Sequence, residues 1–273
     1  MNDKARFRPF PDAEQDVRTW QGVPDTPQTR NPAYRLAFDD LDFIKRDELR
    51  PVRLQLELMK TEMLLTERQI ASTVVMFGGA RIPAPDQPSG NPGLDSLSPY
   101  YAQAQEFARL MTLRSVATGN REHVICTGGG PGVMEAGNRG ADAAGGISIG
   151  LNIVLPHEQA PNTYVTPELS FNFHYFAIRK MHFLMRAQAI TIFPGGFGTL
   201  DEMFESLTLI QTRRMNAIPI LLFGRSFWER VINWDALAEA GTISPEDLRL
   251  VHYVETAEEA VDCIDTWETT PGD

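Results

Sequence analysis

The stretch AITIFPGGFGTLDEMF, residues 189–204, runs from an apolar segment through three glycines into a segment rich in acids. A continuous apolar run that ends at glycine predicts a strand covered on both faces, as in a parallel sheet. A glycine loop that leads from such a strand into a helix offers backbone N–H groups to an anion. Yet Asp201, Glu202 and Glu205 follow at once, so the ligand must need an anion cradle and a carboxylate side by side.

The same alternation of strands and helices extends over the chain from residue 73 onward. Helices are predicted from about Tyr100 to Ser115 and from Val133 to Ala144, and a last helix follows the final strand. This order predicts an α/β fold: a doubly wound, mostly parallel, Rossmann-like sheet with helices on both faces. Such sheets bind ligands at the carboxyl ends of their strands, where three glycine turns fall here. The other predicted strands are TVVMFGG, HVICTGGG, ISIGLNI, IPILLFG and LVHYVET.

Three parts of the chain differ in composition. Residues 1–33 are polar and contain five prolines, which predicts a tail that cannot order itself. Residues 34–72 carry a helical apolar stripe, divided by Pro51, and predict a helical extension that packs on the main body or on a second subunit. Residues 73–273 form the predicted nucleotide-binding catalytic domain.

The bulk composition excludes several classes of protein. A formal net charge of −11 over 273 residues argues against binding nucleic acid or an anionic membrane through a basic face. The two cysteines, Cys126 and Cys263, are too far apart for a disulfide framework or a zinc cluster, and no His and carboxylate set has metal spacing. We expect no metal and no cofactor. No apolar run reaches membrane-spanning length, which predicts a cytoplasmic protein.

The spacing of the glycines narrows the choice of phosphate ligand. A dinucleotide fingerprint needs G-x-G-x-x-G, with a glycine three positions after the second one. Here the residue three positions after Gly132 is Glu135, and the residue three positions after Gly198 is Asp201. The P-loop pattern does not occur either, so NAD binding and ATP hydrolysis are disfavoured. The plainer alternative is that each glycine loop only makes a tight turn.

A basic segment stands just before the third glycine loop. FHYFAIRKMHFLMR predicts a helix with Arg179 and Lys180, and Arg179, His182 and Arg186 recur at helical spacing on one face. A guanidinium fork suits a phosphate or a pair of ribose hydroxyls. By itself, however, this Arg-Lys pair is more typical of a solvated helix surface.

Several of these motifs together resemble the lonely-guy family, once widely labelled lysine decarboxylases. The family motif P-G-G-x-G-T-x-x-E stands at residues 194–202, and the R-K pair precedes it. GGGPGVMEAGNRGA, LPHEQAPNTYVT and FNFHYFAIRK are similar to further segments of the family. The similarity covers about residues 73–255. Gly79 stands where bacterial members usually have a serine, and the first 72 residues and the loop from Pro83 to Pro99 lie outside the short family form.

The resemblance implies hydrolysis of the N-glycosidic bond of nucleoside 5′-monophosphates, either cytokinin riboside monophosphates or AMP. It implies Glu202 and Arg179 as the catalytic pair, a phosphate site in the third glycine loop, and a homodimer or higher homo-oligomer. The decarboxylase label is not followed, because nothing in the sequence indicates a Schiff-base lysine. The substrate-binding candidates are Gly195, Gly196, Gly198, Thr199, Lys180, Gly129, Gly130, Gly132, Glu135 and Arg81.

The implied reaction explains the mixture of glycines and acids. Glycosidic cleavage passes through a sugar cation that a carboxylate can stabilise, while the glycine loop binds the phosphate. The helix N-terminus is expected to help keep Glu202 ionised. Two alternatives stay open: Thr199 and Glu202 have the spacing of a helix capping box, and the fold also serves non-catalytic carriers of nucleotides or of the molybdenum cofactor.

Overall fold

The computed structural model describes residues 10–156 and 160–267, in two compact units, Met1–Glu57 and Leu58–Asp273. Residues 1–9 of the predicted tail and residues 157–159 of the LPHEQAPNTYVT segment lie outside the described residues. The division between these units, after Glu57, coincides with neither of the domain boundaries predicted at residues 33 and 72, which stay predictions.

The first unit contains a helix where the sequence predicted a tail. Helix α1 (Ala13–Gln21) begins with a capping box between Asp12 and Gln15, and none of its residues is buried. Local capping can order a short helix without burial, which a composition argument misses. Short 3₁₀ turns and helix α2 (Leu41–Ile44) follow. Pro51 does not divide a helix; it lies in the first turn of α3 (Arg50–Glu67), where a missing N–H is tolerated.

The second unit confirms the predicted α/β fold. Its seven strands form one sheet in the order β4-β3-β2-β1-β5-β6-β7, and every neighbouring pair is parallel. Six strands match the predicted ones, and the strand missing from the sequence prediction is β4, a short edge strand. The strands are β1 (Thr73–Phe77), β2 (Val124–Thr127), β3 (Ser148–Ile153), β4 (Ser170–Phe173), β5 (Ala187–Ile192), β6 (Ile220–Phe223) and β7 (His252–Val254).

Helices cover both faces of this sheet. Strand β1 shows why the strands are apolar throughout: Val74 and Met76 enter one buried cluster, while Val75 and Phe77 enter the other. The predicted helices from Tyr100 and Val133 correspond to α5 and α6. The helices of this unit after α3 are α4 (Pro92–Asp95), α5 (Ser98–Ala117), α6 (Val133–Ala143), α7 (Phe176–Leu184), α8 (Phe197–Gln211), α9 (Arg225–Val231), α10 (Trp234–Glu239) and α11 (Ala257–Asp265).

The order of strands reverses between β1 and β5, which creates the crevice that such sheets use for ligands. The loops after these strands are joined there. The Gly79 N–H donates to the Pro194 carbonyl at 2.9 Å, and the Val133 N–H donates to the Gly79 carbonyl at 3.2 Å. The three glycine turns of the sequence thus meet at one edge of the sheet. Among the described residues, no helix combines the length and the apolar character needed to cross a bilayer.

Candidate functional site

A cleft of about 460 Å³ opens at the carboxyl ends of β1 and β5. Its volume lies in the range of small-molecule sites. Its polar lining comes from Glu202, Arg179, Arg81 and the third glycine loop, and the other lining side chains, most of them apolar, make up its apolar wall. Its lining residues are Gly78, Gly79, Ala80, Arg81, Ile82, Leu94, Leu97, Met134, Ile153, Leu155, Phe176, Arg179, Pro194, Gly195, Gly196, Gly198, Thr199, Glu202 and Phe227.

The third glycine loop leaves its backbone open toward the cleft. A Cβ atom added at Gly196 or Gly198 would meet no atom of the described residues within 4 Å. At Gly195, by contrast, it would lie 2.2 Å from the Thr199 Oγ1 atom, so this glycine is required by packing. Two of the three glycines therefore have no neighbour that explains them, and they leave room for a ligand against the N-terminus of α8.

The alternative that Thr199 and Glu202 form a capping box is wrong. Helix α8 has Gly196 as its N-cap, and no side chain accepts a hydrogen bond there. Thr199 therefore lies inside the first turn of α8 and is buried. Because the helix begins at Phe197, two residues before Thr199, the Glu202 carboxylate is not used to cap it. It faces the cleft instead.

Arg179 is held against Glu202 by contacts from three elements. Its Nε atom donates to the Leu151 carbonyl of β3 at 2.7 Å, and its guanidinium lies 5.1 Å from the centre of the Phe183 ring. The Nη1 atom is 3.8 Å from Oε1 of Glu202. A Cβ atom at Gly128 would lie 2.7 Å from the Nη2 atom, so the glycine after β2 makes space for this side chain.

Glu202 is a carboxylate with an unusual proton affinity. Burial raises its pKa from 4.5 to about 7, against the opposing effect of Arg179. The expectation that the helix N-terminus keeps this group ionised is therefore wrong. Glu202 stands six residues after the N-cap Gly196, beyond the first turn in which the helix dipole is felt. Desolvation dominates at that position.

Lys180, predicted to contact substrate, is not among the described residues that line the cleft. Its Nζ atom lies 2.7 Å from Asp201 and 3.1 Å from Glu205, one helical turn apart on α8. Burial lowers the pKa of Lys180, but the two carboxylates outweigh it and raise the pKa overall. The R-K pair thus points in two directions, with Arg179 toward the cleft and Lys180 toward α8.

The predicted common face of Arg179, His182 and Arg186 does not exist as a functional surface. Helix α7 ends at Leu184, so Arg186 lies beyond it. Both His182 and Arg186 approach Glu62 of α3: the His182 Nδ1 atom is 3.3 Å from its carboxylate, and Arg186 donates to the same oxygen. These two side chains join α7 and its C-terminal end to α3, while Arg179 alone reaches the cleft.

The second glycine loop, residues 128–132, packs against neighbouring residues next to the cleft. Gly129 and Gly132 have φ of +72° and +68°, and a Cβ atom there would collide with Asn152 and with the Gly79 carbonyl. Backbone shape and packing therefore explain both glycines without a ligand. Glu135 accepts a hydrogen bond from the Tyr101 hydroxyl at 2.9 Å.

None of Gly129, Gly130, Gly132 and Glu135 is among the described residues of the cleft lining. Substrate contact by these four residues stays a prediction. Gly130 is held by Asn162, whose Nδ2 atom donates to its carbonyl at 3.0 Å. Within residues 10–156 and 160–267, no group of three or more His, Cys, Asp or Glu side chains could hold a metal ion.

The sequence did not identify the apolar wall of the cleft. Leu94 and Leu97 come from the segment 83–99 that lies outside the short family form, Leu155 follows β3, and Phe176 and Phe227 belong to α7 and α9. Single apolar residues from separate elements give no pattern that sequence reasoning can detect. The unusual length of the segment was the one available signal.

Comparisons with known proteins agree with the sequence motifs. A family model described as "possible lysine decarboxylase" matches residues 134–264, which include Arg179 and Glu202. A rice protein (Oryza sativa subsp. japonica) named "probable cytokinin riboside 5′-monophosphate phosphoribohydrolase LOGL5" is 27% identical over 153 residues. That match spans 55% of this chain and 61% of the rice protein, less than two thirds of its length. Together they confirm the resemblance to the lonely-guy family.

Two solved structures are similar to this chain. The X-ray structure of TM1055, a structural genomics target, is 22% identical, with a TM-score of 0.48 over 72% of this chain and 99% of that one. The molybdenum cofactor carrier protein of Chlamydomonas reinhardtii is 17% identical, with a TM-score of 0.42 over 71% of this chain and 96% of that one.

Proposed function

We propose that this protein, which resembles the lonely-guy family, hydrolyses the N-glycosidic bond of nucleoside 5′-monophosphates to a free base and ribose 5-phosphate. The observation that carries the proposal is the position of Glu202. Its side chain is 15% exposed, and its carboxylate takes no part in helix capping and lies 3.8 Å from Arg179 beside an open glycine loop. The name of the rice relative supports the same reaction class.

The reaction makes distinct demands on the two ends of the cleft. The C1′–N bond breaks, its electron pair leaves with the base, a water oxygen bonds to C1′, and a proton reaches the base. Positive charge develops on the sugar, and an ionised Glu202 would stabilise this charge or orient the water. The N–H groups around Gly196 and Gly198 would bind the phosphate. Arg179 would orient the phosphate or ribose, or assist the departing base.

The environment of Glu202 suits this role at neutral pH. A carboxylate with a pKa of about 7 is half ionised at pH 7 and is a stronger base than an exposed glutamate. Burial that raises the pKa also removes water, which strengthens the attraction between the carboxylate and the sugar cation. The same burial makes the folded protein less stable when Glu202 is ionised.

The apolar wall is compatible with both proposed substrates, AMP and cytokinin riboside monophosphates. Leu94, Leu97, Leu155, Phe176 and Phe227 offer apolar surface to a base with or without a prenyl group. The relative rates for the two substrates decide which one the protein prefers.

Pyridoxal-dependent decarboxylation has less support. The basic side chains among the described lining residues are arginines, Arg81 and Arg179, which do not form Schiff bases. Lys180 is engaged by two carboxylates and is not among those lining residues. Glycosidic hydrolysis accounts for Glu202, and decarboxylation does not.

The setting of the reaction is also part of the proposal. We propose a cytoplasmic homodimer or higher homo-oligomer that acts on a small molecule and binds neither nucleic acid nor membrane. The charge of −11 supports this partner class. Exposed apolar side chains support oligomerisation: Phe176 and Met181 of α7, Met185 directly after it, and Phe197, which is 93% exposed. Light scattering on the purified protein measures the oligomeric state.

The test of the reaction is release of free base, followed by chromatography at pH 8.5. AMP, N6-isopentenyl-AMP and adenosine are compared with the wild type, Glu202→Gln and Arg179→Ala. We expect release from the monophosphates and little from adenosine, with a loss of about 10²-fold or more in both variants. Asp201→Asn is the matched control. It removes the adjacent carboxylate, whose side chain is 58% exposed, and should stay within a few-fold of wild type.

Binding of AMP without release of base would contradict the proposal. The protein would then be a nucleotide or cofactor carrier, and Glu202 would need another explanation. Equal losses in Glu202→Gln and Asp201→Asn would also contradict the assignment of Glu202.

A further inference from the structure

Lys180 belongs to a charge cluster that lies behind Glu202. Helix α8 carries three carboxylates, Asp201, Glu202 and Glu205, in its second and third turns. The Lys180 Nζ atom bridges Asp201 and Glu205 at 2.7 and 3.1 Å. Together with Phe183, Leu184 and other residues it borders a gap next to Glu202 that is too small to admit a ligand.

Two successive residues of α7, Arg179 and Lys180, contact different carboxylates of α8. Successive residues of a helix point about 100° apart, so Arg179 and Lys180 reach different faces of α8. Arg179 lies 3.8 Å from the cleft-facing Glu202. Lys180 forms ion pairs with Asp201 and Glu205 on the adjacent face of α8. Asp201 and Glu205 are four residues apart and therefore share that face.

The charges around Glu202 come from both helices. Asp201 and Glu205 on α8 oppose its ionisation, while Arg179 and Lys180 on α7 favour it. If Lys180 were neutral, ionised Glu202 would be the third negative charge in the cluster, with one positive charge left to compensate. Such clusters hold one carboxylate protonated, because like charges in a partly buried site cannot all ionise.

We propose that Lys180 is a positioning residue, not a substrate contact: its ammonium group offsets the charges of Asp201 and Glu205 and so preserves an ionised, reactive Glu202. The inference assigns the second residue of the R-K pair a role distinct from that of the first. Its consequence for activity rests on the proposed function, whereas its consequence for the titration of Glu202 does not.

The first experiment measures two pH profiles for the wild type and Lys180→Met. One is kcat/KM for base release from AMP; the other is the ¹³C NMR titration of the Glu202 carboxylate without substrate. We expect the midpoint of both profiles to rise by roughly one pH unit in Lys180→Met. Base release then falls about tenfold at pH 6 and stays within about twofold of wild type at pH 9. Lys60→Met, which removes an exposed lysine of α3, should change neither profile.

The second experiment restores the balance of charge. Adding Asp201→Asn and Glu205→Gln to Lys180→Met removes the two carboxylates that the lysine offset. We expect the midpoint of this triple variant to return to the wild-type value or below it, because two negative charges are removed with one positive charge, and Lys180→Arg to retain the wild-type midpoint. Folding is checked by circular dichroism, and the triple variant, which leaves no unpaired charge in the cluster, keeps the test usable if Lys180→Met alone is unstable.

The outcomes separate the two proposals. An unchanged NMR midpoint in Lys180→Met overturns the role of Lys180, as does a rise in KM for AMP that the triple variant does not reverse. If the wild type releases no base but the NMR midpoint still rises, the proposed function fails and the role of Lys180 stands.

Discussion

Replacing Glu202 by glutamine should stabilise the protein, and the gain should depend on pH. The pKa of Glu202 is about 7 in the folded chain and 4.5 for an ordinary glutamate. Below pH 4.5 the carboxyl group is protonated in both states and costs nothing. As the pH rises from 4.5 to 7, the unfolded chain loses this proton while the folded chain keeps it, so the folded state becomes progressively less stable. Glutamine resembles the protonated carboxyl group and does not carry this cost.

The size of the effect follows from the two pKa values. Each pKa unit corresponds to 1.36 kcal/mol, so the full penalty above pH 8 is about 3 kcal/mol. At pH 5 it is about 1 kcal/mol, because the unfolded group is already mostly ionised there. The free energy of unfolding of Glu202→Gln should therefore exceed that of wild type by about 1 kcal/mol at pH 5 and about 3 kcal/mol at pH 8.5.

Urea denaturation followed by circular dichroism at the two pH values measures this difference. Glu229→Gln is the control, because Glu229 is an exposed glutamate of α9 that pairs with Arg225, and its loss should change stability by under about 0.5 kcal/mol at both pH values. A gain for Glu202→Gln that is the same at pH 5 and pH 8.5, or a loss that grows with pH, would refute the reasoning.

Two glycine substitutions test how the cleft is built. In Gly128→Ala the new methyl group would lie 2.7 Å from the Arg179 Nη2 atom and from the Met134 Sδ atom, so we expect displaced Arg179 and a loss of at least about tenfold in kcat/KM for base release. In Gly196→Ala the methyl group meets open space, so the free energy of unfolding should stay within about 0.5 kcal/mol of the wild-type value. The KM for AMP should rise, because the methyl group occupies space left for the phosphate. A Gly196→Ala variant that binds AMP normally would contradict the proposed phosphate site in this loop. A fully active Gly128→Ala would contradict the claim that the position of Arg179 matters for the reaction.

The sequence predicted the sheet well because its central strands are apolar on both faces and end at glycine. Strand β5 is an example: its run of apolar residues and the motif after it located both the strand and the start of α8. Strand β4 was missed because alternate residues of Ser170–Phe173 are exposed, which leaves too short an apolar signal. Helix α1 was missed because a capping box, not burial, orders its beginning.

The site was predictable only as far as the motifs reach. The family motifs named Arg179 and Glu202 as a pair, and the structure places the two side chains 3.8 Å apart. The motif also placed Lys180 in the substrate site, although the packing of α7 on α8 turns it toward Asp201 and Glu205. Which face of a helix a side chain occupies depends on tertiary packing, and adjacent residues in one motif can therefore serve different purposes.

The proton affinity of Glu202 was beyond sequence reasoning altogether. From its position near a helix N-terminus, the sequence indicated a stabilised carboxylate. The structure buries the group beyond the first turn of α8, and desolvation reverses the direction of the shift. Burial of one side chain is a property of the whole assembly of helices around it, and no local pattern encodes it.

The most direct test of the central claim is the pH dependence of kcat/KM for release of adenine from AMP. If the ionised, buried Glu202 carries the reaction, kcat/KM should rise tenfold per pH unit below about pH 7 and reach a plateau above it, with a midpoint near the pKa of this carboxylate. Glu202→Gln should lack both the rise and the activity. A profile that is flat through pH 7, or one that falls as Glu202 ionises, would contradict the assignment.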